Sequence, residues 1–545
     1  MATLSFEKKE IEKHIKVNDE MTEKSTMMGV PAEISGDLVN IEVTPNRPDL
    51  LSMHGFLRCY KAFIGKESGL KRYKVNKPEK DFKIKIDKSV KDVRPYTACA
   101  IVKGMKFDNT KIKEIIDIQE KLHATIGRNR KKAAIGIYPL EKITLPIKFE
   151  AKKPQDIKFI PLEMDEELDG LQILQRHPAG REYANLLEGL EKYPVFSDAK
   201  GKILSMPPII NSRDAGKISE NTKDVFIECS GFDFNVLKKI LNIIATAMAD
   251  MGGRIYAMEL DYGKKEMTPN LEPEKIKVSI ENVNKLIGLE LKEKNLERLL
   301  PKMGYDYKKG FACVPSWRTD VLHEVDIIED VAIAFGYDKL IPEIPKVATI
   351  GSESKESMIE RKIAEILSGI GLLEISTYHL IKEDEAKISN IKDYEKIEVE
   401  NSKTEYKVLR HDLLTSALRI FSENKDNEYP QKIFEIGTIF EKDKRSKSET
   451  GINEKEHLLI ACSPANFTEL KKMLDYLMKM LNIEYELKES EHGRLIDGRA
   501  GAIIVNKKES GFIGEVDIET LRKRGIKMPV SVIEINLDEI FEMLG

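Results

Sequence analysis

Apolar residues along this chain fall into runs of two kinds. Dense, β-branched or aromatic runs at Ala98 to Val102, Ala133 to Tyr138 and Val225 to Cys229 predict strands. Apolar residues spaced at three and four near Lys111 to His123 and Val236 to Asp250 predict helices. These elements lie in one long segment, about Tyr73 to Asp261, which reads as an α+β domain with an insertion. From Ser354 to Gly545, amphipathic helices such as Ile359 to Ile370 and Leu470 to Leu481 alternate with β-rich runs at Lys432 to Phe440, Arg499 to Val505 and Pro529 to Ile535. The apolar faces of those helices suit inward burial or a partner's surface equally. The proline-marked segment Ile341 to Lys346 divides the two mixed regions.

The pattern also repeats. Val43 to Gly65 can be laid on Val314 to Gly336 at a constant offset of 320 − 49 = 271, so that Arg47 meets Arg318, Asp49 meets Asp320 and Gly65 meets Gly336. Upstream, the run from Leu4 matches the run from Val278, and Met28-Gly29 matches Met303-Gly304 after a short indel. Two copies of a small α+β module therefore bracket the middle of the chain. In each, a strand ends at a Pro-containing turn and an Asp stands where a helix N-cap is expected.

The chain has 545 residues, room for three or four domains at roughly 150 residues each. Lys plus Arg total 88 against 92 Asp plus Glu, so no global basic field draws it to nucleic acid and any RNA contact must be local. Its 41% hydrophobic and 33% charged residues suit a soluble globular protein with no membrane span. The start, MATLSFEKKEIEKHI, has no apolar signal core, which makes the cytoplasm the expectation. Five dispersed cysteines without a C-x-x-C pair read as reduced structural thiols.

Candidate chemistry starts on the helix after Asp320. With Asp326 as reference, Glu329 lies about 60° to one side and Asp330 about 40° to the other, while Ile328, Val331, Ala332 and Phe335 take the opposite face. Like charges at this spacing cost a helix about 0.2–0.5 kcal/mol per pair, which a solvated surface tolerates. The first repeat has Gly55, Arg58 and Cys59 at the equivalent positions, so the acids are expected to serve something only the second copy does. Oxygen donors without a His/Cys set suit Mg²⁺. A cationic partner helix would satisfy the same face, and spacing alone does not choose between them.

Asn46 to Ser52 and Arg318 to Leu340 resemble the beta chain of phenylalanine–tRNA ligase in its shorter archaeal or eukaryote-like form. The similarity continues through Lys121 to Leu140, His177 to Phe196 and Leu204 to Ser212. The resemblance implies an α+β multidomain fold. Two repeated α+β modules (1–72 and 271–346) flank an editing-type α+β domain (73–270), followed by a class II synthetase-like antiparallel sheet domain (347–545) lacking the catalytic arginines. It implies that Asp320, Asp326, Glu329 and Asp330 ligate Mg²⁺ at a site shared with an alpha subunit, in an assembly of two alpha and two beta chains. ATP would be bound by the alpha subunit. Consistent with that division, Ile433 to Glu441 contains no arginine, Gly511 to Gly545 shows no Gly-x-Gly-x-Arg, and Arg522 and Arg524 read as solvated turn residues.

The resemblance further implies that the middle domain hydrolyses tyrosine mischarged on phenylalanine tRNA. A hydrophobic pocket rejects an added hydroxyl by only about a hundredfold, which gives a second, hydrolytic site its reason to exist. The candidates are Leu204, Ser205, Pro207, Asn211 and Ser212 in a strand-turn, and Thr222, Asp224 and Glu228 on the following strand, although ordinary turn chemistry favours several of these residue types too. No Ser/His/Asp or Cys/His arrangement marks a nucleophile, so a positioned water is expected. His123 and His177 read as structural histidines. Arg128, Arg130, Lys131 and Lys132 form a basic cluster suited to tRNA phosphates or to a solvated turn; Lys71, Arg72 and Lys74 are a weaker second patch. The competing readings are a noncatalytic tRNA- and subunit-binding scaffold with a silent pocket, and a free-standing deacylase, against which the synthetase-like tail argues.

Overall fold

In the computed structural model the first 72 residues form a three-stranded antiparallel sheet in which Leu38–Val43 lies between Ala2–Glu7 and Ala32–Ser35. Helices Asp19–Met27 and Met53–Phe63 cover it. Residues 2–344, 350–388, 395–443 and 450–544 are described. The second copy repeats the element order and the topology, with Phe311–Val314 between Glu274–Lys277 and Asp306–Lys308. Its last helix, Glu324–Phe335, begins 324 − 53 = 271 residues after Met53. Met28 and Met303 are both buried, and Gly29 and Gly304 both turn the chain at φ +84°.

Two details of the sequence reading change. Ala2 pairs with Val43 and Glu274 with Val314, so the first strands correspond at an offset of 274 − 2 = 272, and Leu4 answers to Ile276 rather than Val278. A slip of two keeps every side chain on its own face of the strand, so polarity could not detect it. Nor are Asp49 and Asp320 helix caps. Ser52 caps the first helix through Gly55 N at 3.0 Å. In the second copy Asp326 reaches back to the amides of Leu322 and His323, each at 2.8 Å.

The chain divides into two compact units, Met1–Glu343 and Ile344–Gly545. Between the repeats of the first unit lies an eleven-stranded sheet. One end of it is antiparallel, Arg254–Asp261, Tyr96–Lys103, Val225–Gly231 and the edge strand Ala133–Pro139 in that order, with helices Asn109–Ala124 and Phe234–Asp250 packed against it. The long helix is capped by Asp233 and buries Leu237, Ile240, Leu241 and Ile244. Tyr193–Ser197, Ile203–Met206 and Ile210–Asn211 extend the sheet at one side and lead into the turn that bounds the candidate pocket.

The second unit is a seven-stranded sheet, antiparallel except for the short edge strand Leu373–Glu374. Helices Lys355–Gly369, Phe467–Leu481 and Asp538–Leu544 bury one face. The apolar stripes of the first two are spent inward, with Ile363, Leu367, Leu470, Leu474 and Leu477 fully buried. The opposite face is covered by Leu414–Glu423 and Ile518–Lys523. The proline-marked boundary from Ile341 is described as far as Ile344; its last two residues lie outside the described residues.

A close approach fixes one repeat position. A Cβ on Gly55 would stand 2.1 Å from the Asp49 carbonyl oxygen, so Gly55→Ala should cost at least about 2 kcal/mol in a urea unfolding titration.

Candidate functional sites: a repeat joint and a buried-acid pocket

The arginine of each repeat is buried and forked onto the aspartate two residues on. Arg47 donates Nε and Nη2 to Asp49, both at 2.9 Å; Arg318 donates to Asp320 at 2.9 and 2.7 Å. Arg318 Nη2 also reaches Asp330 Oδ2 at 2.7 Å, and the Tyr305 hydroxyl donates to the same oxygen. In the first copy the repeat equivalent of Asp330 is Cys59, whose sulfur meets Arg47 Nη2 at 3.6 Å. Burial opposes the charge on Arg318, but Asp330 and Asp320 hold its pKa well above the ordinary value. Burial also pushes Asp320 upward, and Arg318 and Arg47 more than reverse it.

These contacts revise the acid face. Asp330 is buried, Asp320 is committed to Arg318, Asp326 gives one oxygen to the helix start, and Glu329 alone is exposed. Each also has a local explanation in the repeat: Gly55 leaves no room for a side chain, Cys59 replaces Asp330 beside arginine, and Arg58, where Glu329 stands, bonds Asp250 at 3.0 Å. The four acids therefore do not fit a single four-carboxylate Mg²⁺ cage, and among the described residues no group of three or more His, Cys, Asp or Glu is placed to hold a metal. Among the described residues, Asp326 Oδ1, Asp330 Oδ1 and the Glu329 carboxylate accept no hydrogen bond and are the oxygens of this helix open to a cation.

The second site lies between the helix Asn109–Ala124, the strands carrying Ile135 and Glu228, and the turn Pro207 to Asn211. Its cavity is about 130 Å³, close to the roughly 150 Å³ that accepts benzene in an apolar core. Glu228 faces Gly136 across the ladder, and a Cβ there would be 2.6 Å from Glu228 Oε1 and 2.2 Å from the Tyr138 oxygen. The missing side chain lets the Tyr138 hydroxyl sit 3.2 Å from both Glu228 Oε1 and Asn211 Oδ1. Glu228 Oε2 has no hydrogen-bond partner. Burial raises the Glu228 carboxyl to about 8, against the opposing charge of Arg94, so it is mainly protonated at neutral pH. Burial and the neighbouring acid push Tyr138 well up as well.

Arg130 closes one wall. It donates to Ile209 O at 2.9 Å and Glu120 at 3.3 Å, and lies 4.5 Å over the Tyr183 ring. His123 Nε2 accepts from Ile135 N at 2.8 Å, and burial lowers its pKa, so it is a neutral structural histidine. His177 Nδ1 caps Ala179 N at 3.1 Å.

The phenylalanine–tRNA ligase beta subunit of Archaeoglobus fulgidus is 37% identical over 540 residues, covering 96% of each chain. That of Pyrococcus horikoshii is 39% identical over 503 residues, covering 91% of this chain and 90% of its own length. The chain belongs to the phenylalanine–tRNA ligase beta subunit family. The "B3/4 domain" family matches residues 82–244, the "tRNA synthetase B5 domain" residues 276–337, and the "phenylalanyl tRNA synthetase beta chain CLM domain" residues 341–537. An N-terminal fragment of the phenylalanyl-tRNA synthetase beta subunit from Pyrococcus horikoshii superposes with a TM-score of 0.58 at 34% identity, covering 62% of this chain and all of the fragment.

Within the B3/4 match, Pro207, Asn211 and Glu228 line the cavity. Leu204, Ser205 and Ser212 are buried in the strands behind the turn. Thr222 and Asp224 precede the strand Val225–Gly231 rather than lying on it; Thr222 closes a turn on Ser219 N at 3.1 Å and Asp224 accepts from Gly104 N at 2.9 Å. Of the basic cluster, Arg128 and Lys131 are exposed, Lys132 is half-buried and Arg130 belongs to the pocket wall. Arg128, Asn129 and Arg130 all have positive φ, a left-handed turn that non-glycine residues rarely hold. Lys71 and Arg72 pair with Asp250 and Asp306. Sequence reasoning missed Tyr138 and Gly136; their signal was a Gly-x-Tyr step in an otherwise apolar strand, opposite a lone Glu in VFIECSG.

Two outcomes follow. Asp330→Ala removes one of two counterions from buried Arg318 and should cost about 3 kcal/mol by urea unfolding; unchanged stability with an altered Mg²⁺ response would instead favour a ligand role. Glu228 contributes stability that is full below its usual 4.5 and lost as pH rises through about 8, because the folded chain holds a proton that the unfolded chain releases. Glu228→Gln should flatten the dependence of Tm on pH between about pH 5 and 9; parallel profiles would contradict the buried acid.

Proposed function

We propose that this chain is the beta subunit of a heteromeric phenylalanine–tRNA ligase, supporting ATP-dependent charging of tRNA(Phe) by its alpha subunit and hydrolysing Tyr-tRNA(Phe) in the pocket beside Glu228. The observation that carries the editing part is a ring-sized cavity lined by Glu228, Asn211 and Pro207, in which burial raises the Glu228 carboxyl to about 8. A neutral carboxylic acid donates to a phenolic oxygen and offers a phenylalanine ring nothing. A site built to hydrogen-bond a hydroxyl separates such a pair by as much as 10⁴–10⁵-fold, against about a hundredfold for an apolar pocket. No hydroxyl or thiol among the described lining residues is paired with a base, so the ester is cleaved by water. The cavity residues orient the amino acid, and the exposed Arg128 and Lys131 lie where RNA phosphates would be neutralised.

The second unit supports the division of labour. Both faces of its sheet are covered, and its largest buried arginines are consumed internally: Arg410 by Glu435 at 2.7 Å and Arg494 by Asp412. Arg522 is exposed, whereas Arg524 is not the solvated residue expected; it pairs with Glu385 at 3.2 Å. Arg494 Nε and Arg524 Nε lack hydrogen-bond partners, but both atoms are buried and each guanidinium already holds its carboxylate.

The test is deacylation of Tyr-tRNA(Phe) by the chain assembled with its alpha subunit. The wild-type complex should release tyrosine, and Glu228→Ala or Asn211→Ala should slow release at least about tenfold while phenylalanine charging is unchanged. A wild-type complex that leaves Tyr-tRNA(Phe) intact would reduce this chain to a tRNA- and subunit-binding scaffold.

A further inference from the structure

The joint between the two repeats holds a cavity separate from the Glu228 pocket. It encloses about 180 Å³ and is lined by Arg47, Arg58 and Arg318, with Lys71, Ser68 and Trp317 among its other walls. That is below the roughly 300–1,000 Å³ of pockets that take drug-sized ligands, so the space suits a small group rather than a nucleotide.

The donors around it are incompletely satisfied. Arg58 is nine-tenths buried, with its guanidinium 4.4 Å over the Trp317 ring; Nη1 donates to Tyr73 and Asp250, and Nη2 has no partner. Arg318, 4% exposed, commits Nε and Nη2 to Asp320 and Asp330 and leaves Nη1 without a partner. Formal charges balance: Arg47, Arg58, Arg318, Lys71 and Lys61 stand against Asp49, Asp250, Asp320, Asp330 and Glu67, which also lines the cavity. The carboxylates therefore hold the arginines charged inside the protein, while two guanidinium amino groups remain without acceptors. Arg47 Nε also lies 4.0 Å from Asp320, so the pairs of the two repeats face each other across the joint.

We propose that this joint is an oxyanion site that takes a phosphate group, either inorganic phosphate or a phosphodiester of bound RNA. Water could accept from the same amino groups, but an oxyanion makes charge-assisted hydrogen bonds, about twice as strong as neutral ones, to both guanidinium groups at once. Arginine's planar fork favours phosphate over a spherical anion. Lys71, half-exposed at the rim, supplies a further cation on the path in. Because the arginines come from both repeats, the bound group would tie the first module to the second.

Thermal unfolding of the full chain in millimolar phosphate, against chloride at equal ionic strength, reads the site. Phosphate should raise Tm where chloride does not, and Arg58→Gln should weaken the half-saturating concentration at least about tenfold. Because Arg58 also packs on Trp317, the wild-type crystal soaked in tungstate gives a second readout, with density expected within hydrogen-bonding distance of Arg58 Nη2 and Arg318 Nη1. Displacement of phosphate by tRNA would identify the natural group as an RNA phosphodiester; undiminished phosphate binding would identify the free ion. Ordered water alone in the soaked cavity, with no phosphate-specific shift in Tm, would overturn the proposal.

Discussion

A guanidinium taken out of water must bring its counterion with it, and the first unit is organised by doing this twice. In each repeat the strand ends, the chain turns, and an arginine folds onto the aspartate two residues later before the last helix starts. The two-point contact fixes the direction of the turn as well as neutralising the charge. Removing either partner would leave the other buried and alone, which costs several kcal/mol. The copies are also linked, with Asp320 adding to the field that keeps Arg47 protonated against burial and against Arg318. Asp49 does most of that work in the first copy; Asp330 and Asp320 do it for Arg318 in the second.

The same logic run with one charge fewer produces the pocket. Glu228 has Arg94 in its electrostatic surroundings, yet desolvation dominates and the acid keeps its proton. Burial lowers Arg94 to about 10 while it donates to Ser230 O at 2.7 Å. A carboxylate bound by a guanidinium would be a fixed structural group, as Asp320 is; a carboxylic acid with an oxygen to spare can discriminate a ligand. The difference lies in whether arginine bonds the acid directly.

In the second unit, buried ion pairs take up the space between sheet and covering segment. Arg410, Glu435 and Thr377 form one network, and Asp412, Arg494 and Thr415 another; Asp412 is held well below its ordinary pKa by Arg494 and His411 despite complete burial. Glu534 accepts from the amides of Leu413 and Leu414, both at 3.1 Å, where the covering helix begins. These networks fill the space under the covering helix, while a cavity of about 730 Å³ opens beside it, lined by Thr377, His379, Tyr406, Arg419 and Glu423.

The sequence by itself determined the elements and the repeat, because apolar periodicity and the spacing of Arg, Asp and Gly are properties of position along one chain. Strands and helices predicted around Ala98, Ala133, Val225, Lys111 and Val236 are all present, and the 271-residue offset carries from the strand of Val43 to the helix of Met53. Of the candidates named on the segments that carry the family resemblance, Glu228, Asn211 and Pro207 line the cavity. Tertiary structure alone decided what each charge faces. A helical wheel put Asp326, Glu329 and Asp330 on one face, yet Asp330 is drawn inward because Arg318, twelve residues earlier, is buried beside it. Thr222 and Asp224 were grouped with Glu228 by nearness in sequence, while Tyr138 and Gly136, ninety or so residues before it, are its true neighbours. Protonation and ion pairing depend on distances across the fold, and periodicity along the chain carries no information about those.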